Sequence, residues 1–341
     1  MYSKTKLERV LELHRGYDLP ERERKEGNVP IISSSGYSGL HNDCKCDGEN
    51  VITGRYGTIG EVFYHEGKCW PLNTALYVSD FKENNPKYVY YLLKYILKMS
   101  IDGKDKSTVP GVDRNVLHQM EIPFCQDIKE QKELIRILEK LDERIDLNRK
   151  INDNLQQQLC LIYENMMCKA QYGNIEGTFT VASKLTDVVT GKEDANFASP
   201  NGKYKFFTCS NDTLNCDEYV FDSSAILIAG NGDFNVKHYS GKFNAYQRTY
   251  VLIPDHQYYG LLYFASLYQI NSFKSASSGS IVKFITKGDI ENIPVFIPND
   301  EHILNELNRL LALQEKNQAE NEELSSLRDW LLPMLMNGQA S

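Results

Sequence analysis

The feature that most constrains the fold is a long heptad pattern between residues 127 and 167. Taken in alternating steps of four and three, its positions form a set that we call the first seam: Leu134, Leu138, Leu141, Ile145, Asn148, Asn152, Leu155, Leu159, Ile162 and Met166. Eight of these ten residues are apolar, and neither proline nor glycine interrupts them. A stripe of this kind lies along one face of a helix and packs against another helix. At about 1.5 Å per residue the predicted helix is roughly 60 Å long, well beyond an ordinary globular helix.

A second stretch with the same stepping supplies a partner helix in the same chain. This second seam also has apolar ends and a polar middle: Ile303, Leu307, Leu310, Gln314, Asn317, Asn321, Leu324, Arg328, Leu331 and Leu335. Buried asparagines cost stability but fix register, so we predict an antiparallel pair with four register-setting residues, Asn148 beside Asn321 and Asn152 beside Asn317. Two pairs match poorly in this alignment, Leu141 with Arg328 and Leu155 with Gln314. Pro333 is expected to end or kink the second helix.

Length and composition are those of a globular protein with two domains. The 341 residues allow a first domain at residues 1–124, a long helix at 125–170, a second domain at 171–298 and a second long helix at 299–341. No run of about 18 apolar residues occurs, and the first residues lead into no apolar signal core. Because cysteines scattered through a chain of this size are typically reduced thiols, we expect a cytoplasmic protein.

One group of residues has the chemistry of metal ligands. It consists of His41, Cys44, Cys46, His65 and Cys69, and its spacings match no common zinc pattern. Ordinary loop and core roles are therefore favoured, and we predict no metal site, although the sequence leaves metal binding open.

The charge of the chain is unevenly distributed. The formal net charge is −8, and residues 299–341 account for −5 of it, so the predicted domains are near neutral. Proteins that grip DNA unaided usually show a basic face. Either this chain does not bind nucleic acid, or partner subunits supply much of the phosphate contact.

The second half of the chain repeats the order of elements predicted for the first. In each half a strand leads into a glycine-containing turn, a tyrosine-rich helix follows, and an Ile-Pro step precedes the long helix. Matching residues at the ends of the halves differ by a constant 171 positions: Ser107 and Ser278, Ile122 and Ile293, Pro123 and Pro294, Glu130 and Glu301. The offset predicts two diverged copies of one unit. The predicted fold class is therefore α+β, with two pseudo-repeated α/β domains separated by two long antiparallel helices.

These motifs resemble the specificity subunits of Type I restriction-modification systems over essentially the full length. The matching residues are Gly57-Thr58-Ile59-Gly60, Ser107, Ile122-Pro123 and Glu130-Gln131, with weaker echoes at Gly230-Asn231-Gly232, Ser278-Gly279, Ile293-Pro294 and Glu301-His302. His302 departs from the glutamine of the first copy. The resemblance implies two target-recognition domains, each for one half of a split double-stranded DNA target, with the helix pair setting the gap.

The resemblance also implies a division of labour with partner subunits. Modification subunits, two per chain, would dock on the helices and methylate a flipped adenine. Specificity subunits of Type IIB systems share this architecture, with methylation and cleavage fused in the partner, and the sequence does not separate the two settings. The chain itself is expected to be non-catalytic and to bind no cofactor, with S-adenosylmethionine and Mg²⁺ in the partners.

Polar loop residues are the candidates for contacts with DNA. Base reading uses Arg, Lys, Asn, Gln or Ser on elements that enter a groove. The candidates are Arg55, Tyr56, Lys104, Lys106, Ser107 and Thr108 in the first copy, and Asn231, Lys237, Lys274, Ser275, Ser277 and Ser278 in the second. For each of them a solvated loop position is the plain alternative.

Two other functions compete with DNA recognition. The segment Asn85-Pro86-Lys87-Tyr88 looks like the Asn-Pro-Pro-Tyr of adenine methyltransferases, but neither glycine turn provides the strand–turn–helix that a methyl donor needs. We interpret it as a chance likeness, and the sequence contains no Walker-type phosphate loop. The alternative function is a coiled-coil scaffold without base-specific DNA binding. A scaffold explains the helices and the acidity, but it does not explain the recurrence of polar loops in both halves.

Overall fold

The computed structural model describes residues 2–55, 60–102, 113–232, 234–276 and 284–338 of the chain. The chain divides into two compact units. The first unit comprises Met1–Ile145 together with Glu322–Ser341, and the second comprises Asp146–Asn321. Each unit therefore contains a segment of both long helices. No helix among the described residues is long and apolar enough to cross a membrane.

The first unit is a mixed α/β fold that ends in a long helix. Its elements are β1 Tyr2–Lys6, β2 Glu12–Arg15, β3 Val29–Ser33, β4 Gly36–His41, β5 Glu49–Gly54, β6 Val62–Glu66, β7 Trp70–Pro71, β8 Ala75–Asp80, α1 Pro86–Asp102, α2 Arg114–Gln119, β9 Glu121–Cys125 and the part up to Ile145 of α3 Ile128–Gln171. One sheet has the antiparallel order β2-β8-β5-β6, a second has the order β4-β3-β7, and β1 pairs with β9. Helix α1 packs its tyrosine- and leucine-rich face on this framework and fully buries Tyr88, Leu92 and Leu93.

The second unit repeats this design with a larger sheet. Its elements are β10 Gly177–Val181, β11 Val188–Thr190, β12 Tyr204–Phe207, β13 Leu214–Cys216, β14 Phe221–Ala229, β15 Val236–Ala245, β16 Thr249–Leu252, α4 Tyr259–Ala276, α5 Lys287–Glu291, β17 Pro294–Pro298 and α6 Glu301–Met336. The main sheet has the order β11-β16-β14-β15-β12-β13, and β10 pairs with β17. Helix α4 is apolar on most sides and is buried between strands of the sheet and the long helices, with Leu261, Leu262 and Phe264 fully buried.

Equivalent backbone hydrogen bonds in the two units confirm the predicted repeat. Leu72 N–H donates to the Ile32 carbonyl at 2.8 Å, and in the second unit Tyr246 N–H donates to the Phe207 carbonyl at 2.9 Å. At the other strand pair, the bond from Leu7 to Met120 (3.0 Å) is matched by one from Ala182 to Ile293 (2.9 Å).

The predicted offset of 171 needs a correction at this strand pair. Met120, and not Ile122, is the counterpart of Ile293, so equivalent positions here differ by 173. The two Ile-Pro steps therefore fall two residues apart in the fold. A dipeptide that recurs in the sequence does not have to occupy the equivalent backbone position. Strand pairing defines which positions are equivalent.

In the second unit the long helices run antiparallel and are joined by amide side chains. Asn148 Nδ2 donates to Asn321 Oδ1 at 3.0 Å. One turn along, Asn317 Nδ2 donates to Asn152 Oδ1 at 2.8 Å. Gln314, a poor match for an apolar residue in the seam alignment, donates to the Asn152 carbonyl at 2.9 Å. The contacts are those that the two seams predicted, whereas a register-setting role for the asparagines remains a prediction.

In the first unit a partly buried ion pair lies at the other poor match between the seams, Leu141 with Arg328. The Nη1 of Arg328 lies 2.8 Å from Asp142 Oδ1. Tyr91 OH donates to the other oxygen of the same carboxylate at 2.7 Å. Burial lowers the pKa of the Arg328 guanidinium, but the carboxylates of Asp142 and Asp329 more than offset this and leave the pKa raised. Pro333 does not end the helix, because α6 continues through it to Met336.

Candidate nucleic-acid interface

Two of the predicted DNA-contacting residues lie in turns at the ends of central strands. In the first unit Arg55 follows β5 directly, and its backbone N–H donates to the Thr74 carbonyl at 2.9 Å. In the second unit Asn231 follows β14 and forms an isolated β-bridge with Phe284. Both side chains are partly exposed, so each turn presents a polar residue at the rim of its own unit.

Lys237 lies in β15 and its cation is already engaged inside the second unit. Its Nζ donates to the Ser210 carbonyl and lies 6.0 Å from the centre of the Phe207 ring. Burial lowers the pKa of this ammonium group. These contacts favour a structural role, and a DNA contact by Lys237 stays an untested prediction.

The other residues predicted to contact DNA lie at the end of α4 or outside the described residues. Lys274 and Ser275 lie in the last turn of α4, where the structure describes the backbone. The others lie outside the described residues: Tyr56, Lys104, Lys106, Ser107, Thr108, Ser277 and Ser278.

The structure adds a cluster of polar residues that the sequence analysis missed. Gln247 and Arg248 form the turn between β15 and β16, and both are exposed. They border a cavity of about 550 Å³ together with Asn231, Thr190 and Lys287. The sequence signal for these residues was a Gln-Arg pair directly before a strand. No feature of the local sequence indicated that this turn lies opposite the Gly230-Asn231 turn.

The segment that looks like a methyltransferase motif is the start of helix α1. The Asn85 side chain accepts a hydrogen bond from Tyr88 N–H at 2.9 Å, which is the usual contact of a helix N-cap. Pro86 then occupies the first helical position, where its missing N–H costs nothing. Tyr88 is fully buried and its OH accepts a hydrogen bond from Cys125 N–H at 3.3 Å. Capping and packing therefore account for three residues of the tetrapeptide.

Gln131, part of the Glu-Gln motif at the start of the first long helix, ties that helix to α1. The side chain is fully buried, and its Oε1 accepts a hydrogen bond from Asn85 N–H at 3.0 Å. Its Nε2 donates to Asn84 Oδ1 at 2.8 Å and to the Cys125 carbonyl at 2.9 Å. Every polar atom of the amide is thus paired, which explains the need for glutamine in structural terms.

Three members of the candidate metal cluster, Cys46, Cys69 and His41, make side-chain contacts in the structure. Cys46 and Cys69 face each other in an isolated β-bridge, where their thiols interact and raise the pKa of buried Cys69 while lowering that of Cys46. His41 Nδ1 accepts a hydrogen bond from Lys25 N–H at 3.1 Å. Among the residues that the structure describes, no group of three or more His, Cys, Asp and Glu side chains is arranged to hold a metal ion.

Comparison with known proteins gives concordant results for sequence and fold. The family described as Type I restriction modification DNA specificity domain matches residues 2–157 and 180–326. The Type I restriction enzyme EcoDI specificity subunit of Escherichia coli is 39% identical over 163 residues, which are 46% of this chain and only 37% of that subunit. The S subunit of a Type-I restriction-modification system from M. genitalium is similar in fold, with a TM-score of 0.61 at 19% identity over 98% of this chain and 96% of that chain.

The two matched segments together account for most of the chain, and each begins within the first strand of its unit. The match therefore agrees with the repeated backbone framework of the two units. On this basis the chain belongs to the non-catalytic family of Type I restriction-modification DNA specificity domains, and it contains two copies of that domain.

Proposed function

We propose that this chain is the DNA-recognition subunit of a restriction-modification complex and that it reads a split, asymmetric target. The observation that carries the proposal is the presence of two matches to the DNA specificity domain in one chain, on two units with equivalent backbone hydrogen bonds. Two such units address two half-sites, as the two protomers of symmetric DNA-binding dimers do. Residues up to about 124 would read one half-site and residues from about 171 to 298 the other.

The two half-sites should differ in sequence because the equivalent turns carry different side chains. Arg55 donates its backbone N–H to Thr74, whereas in the second unit Gly230 makes the equivalent bond to Arg248. Bases are distinguished by the side chains that reach their edges and not by the backbone framework. Equivalent backbone bonds with different side chains therefore favour one architecture that reads two different sequences.

The long helices would set the gap between the half-sites. In each unit the helix segments are held by specific polar contacts, amide pairs in the second unit and the Arg328–Asp142 ion pair in the first. Polar groups buried in a helix seam specify alignment, so they suit a spacer whose length must not vary. Inserting one heptad in each helix keeps both seams in phase, and it should lengthen the gap while both half-sites stay unchanged.

Partner subunits complete the proposed function. Because the two domains are near neutral and not basic, we assign much of the phosphate contact to other chains. We place methylation, and cleavage where it occurs, in modification and nuclease subunits that bind S-adenosylmethionine and Mg²⁺, with two modification subunits per chain. The name of the E. coli relative favours a Type I setting over a Type IIB one. A complex that acts on chromosomal DNA in this way works in the bacterial cytoplasm.

Methylome sequencing of cells that carry the intact system tests the proposal directly. The expected result is a methylated motif of two unlike half-sites at a fixed gap, which disappears when this chain is deleted. Arg55→Ala and Lys106→Ala should alter only one half-site, and Lys274→Ala and Ser278→Ala only the other. A continuous motif, or one that survives deletion of the chain, would contradict the proposal.

Salt dependence separates DNA recognition from the alternative scaffold role. Binding of the chain and its modification partner to duplex DNA should weaken steeply as salt concentration rises, because phosphate contacts release counterions. A scaffold without DNA contacts predicts no binding at any salt concentration, and that outcome would favour the alternative.

A further inference from the structure

The cavity of about 550 Å³ in the second unit lies between three segments that are distant in sequence. The first is the Gly230-Asn231 turn, the second is the Gln247-Arg248 turn, and the third is residues 284–287. The side chains at its border that offer hydrogen-bond donors include Asn231, Gln247 and Arg248. Phe284, 65% exposed, adds an aromatic face to the same border.

Backbone hydrogen bonds hold the three segments in place. Gly230 N–H donates to the Arg248 carbonyl at 2.9 Å, and Ile285 N–H donates to the Gly230 carbonyl at 2.8 Å. Tyr250 OH donates to the Ile285 carbonyl at 3.0 Å, and Gln247 N–H donates to the Glu193 carbonyl at 2.8 Å. A binding site built on such a frame is preorganised, so little ordering is required when a ligand enters.

The close approach of two of these segments depends on glycine. A Cβ atom at Gly230 would lie 2.7 Å from the Arg248 carbonyl oxygen and 2.9 Å from the Tyr250 ring. Such distances are too short for any side chain, so glycine alone allows the turn to meet Arg248.

Arg248 and Gln247 are suited to direct base reading. Both are exposed, and within the described residues no carboxylate pairs with the Arg248 guanidinium. An arginine fork matches the O6 and N7 acceptors of guanine, and a glutamine amide matches the donor and acceptor of adenine. Lys287 lies on the same rim, where its exposed ammonium group is paired with Glu291 at 3.5 Å.

The first unit has a backbone hydrogen bond equivalent to the one between Gly230 and Arg248, but there the arginine is the donor residue and not the acceptor residue. The bond from Gly230 to Arg248 is equivalent to the bond from Arg55 to Thr74, because each immediately follows equivalent strand pairings, Gly54 with Ala75 and Ala229 with Thr249. In the first unit the segment opposite the arginine is engaged within the protein. Thr74 Oγ1 accepts a hydrogen bond from Ser34 N–H at 3.3 Å, and Asn73 Nδ2 donates to Asp18.

We propose that Arg248, with Gln247 beside it, reads adjacent base pairs of the second half-site, and that Arg248 contacts a guanine. The inference rests on the proposed function and names the residues that give the second unit its base preference. This assignment also explains why the half-sites differ, because the arginine of each unit lies on a different side of the equivalent backbone hydrogen bond.

The test is selection of duplexes with randomised bases by the full chain purified with its modification partner, followed by sequencing. Arg248→Ala should flatten the preference for one G·C pair in one half-site by about 10- to 100-fold. Arg248→Lys retains the charge but not the fork, so it should lose the same preference while keeping most of the affinity. Gln247→Ala should relax the adjacent position. Lys242→Ala removes an exposed cation on the same sheet and should change no base preference.

Three results would overturn the inference. The first is an unchanged motif at unchanged affinity in Arg248→Ala. The second is equal weakening for all sequences in Arg248→Ala with full recovery in Arg248→Lys, which would make Arg248 a phosphate contact. The third is a change in both half-sites. If the unaltered chain selects no motif at all, the proposed function itself fails, so the two failures are distinguishable.

Discussion

Replacing Asn148 and Asn321 by leucine, singly and together, measures what a buried amide pair contributes between the long helices. Asn148 is 1% exposed and Asn321 is 6% exposed, and the two side chains share a hydrogen bond of 3.0 Å. Asn148 Nδ2 also donates to Glu320 at 3.1 Å, whereas its Oδ1 has no partner among the described residues. The pair is therefore buried and only partly satisfied.

The expected magnitudes follow from which atoms lose their partners. Asn148→Leu leaves Asn321 Oδ1 buried without a donor, which costs about 1–3 kcal/mol. Asn321→Leu should cost less, because Asn148 Nδ2 keeps its hydrogen bond to Glu320. The double variant removes both amides, including the oxygen that is unpaired in the native chain, and places two leucines in an apolar seam. It should be at least as stable as the native chain, so the interaction energy is at least the sum of the two single-variant costs and therefore at least about 1–3 kcal/mol in magnitude.

Urea unfolding followed by far-ultraviolet circular dichroism supplies the four free energies of unfolding for this double-mutant cycle. The matched control is the exposed pair Asn154 and Gln158, whose amides hydrogen-bond at 2.7 Å on the surface of α3. Its interaction energy should be below about 0.5 kcal/mol. The reasoning is refuted if the buried pair gives a value as small as the exposed pair, or if both single variants are as stable as the native chain.

Three further predictions concern helix starts and buried polar contacts. Gln131→Leu leaves the Asn85 N–H and the Cys125 carbonyl without their hydrogen-bond partner, so the free energy of unfolding should fall by about 2–4 kcal/mol in the same denaturation assay. The matched control is the exposed Gln157→Leu, which should change the free energy of unfolding by no more than about 0.5 kcal/mol. Asn85→Ala removes a helix cap, so the free energy of unfolding should fall by about 1 kcal/mol while the assembled complex still methylates DNA. A loss of methylation by several orders of magnitude with normal folding would show that Asn85 is catalytic. The backbone N–H groups of Glu130 and Lys129 donate to the Asp127 carboxylate and lower its pKa in the folded state. The stability that Asp127 contributes is therefore complete above its unfolded-state pKa and is lost as pH falls through its lower folded-state pKa. Asp127→Asn should reduce the acid dependence of the melting temperature, and an unchanged dependence would contradict this assignment.

Local periodicity was enough to predict the helical part of the fold. The seams gave the antiparallel alignment and placed Asn148 beside Asn321, because the heptad repeat directly encodes which face of a helix is buried. The repeated order of strands, turns and helices was also visible, since strand alternation and glycine turns are local signals. Family membership followed from the same order, and the match at residues 2–157 and 180–326 confirms it.

Individual contacts outside the seams were not predictable in the same way. Lys237 looked like a free loop cation, but strand β15 turns it toward Ser210 and Phe207. The likeness of Asn85 to a catalytic residue was interpreted as chance, and the structure adds its local role as the cap of α1. In each case the role depends on neighbours that packing supplies, and a single sequence contains no local signal for those neighbours.

The sequence by itself determined the two-copy architecture and the register of the long helices, because both depend on residue spacing along one continuous segment. Only the tertiary structure decided which residues share a site. Gly230 and Arg248 meet because β14 and β16 pair side by side, and the exposed guanidinium borders a cavity because residues 284–287 close its third side. Pairing between distant segments depends on the packing of the whole unit, so the order of residues along the chain does not reveal it.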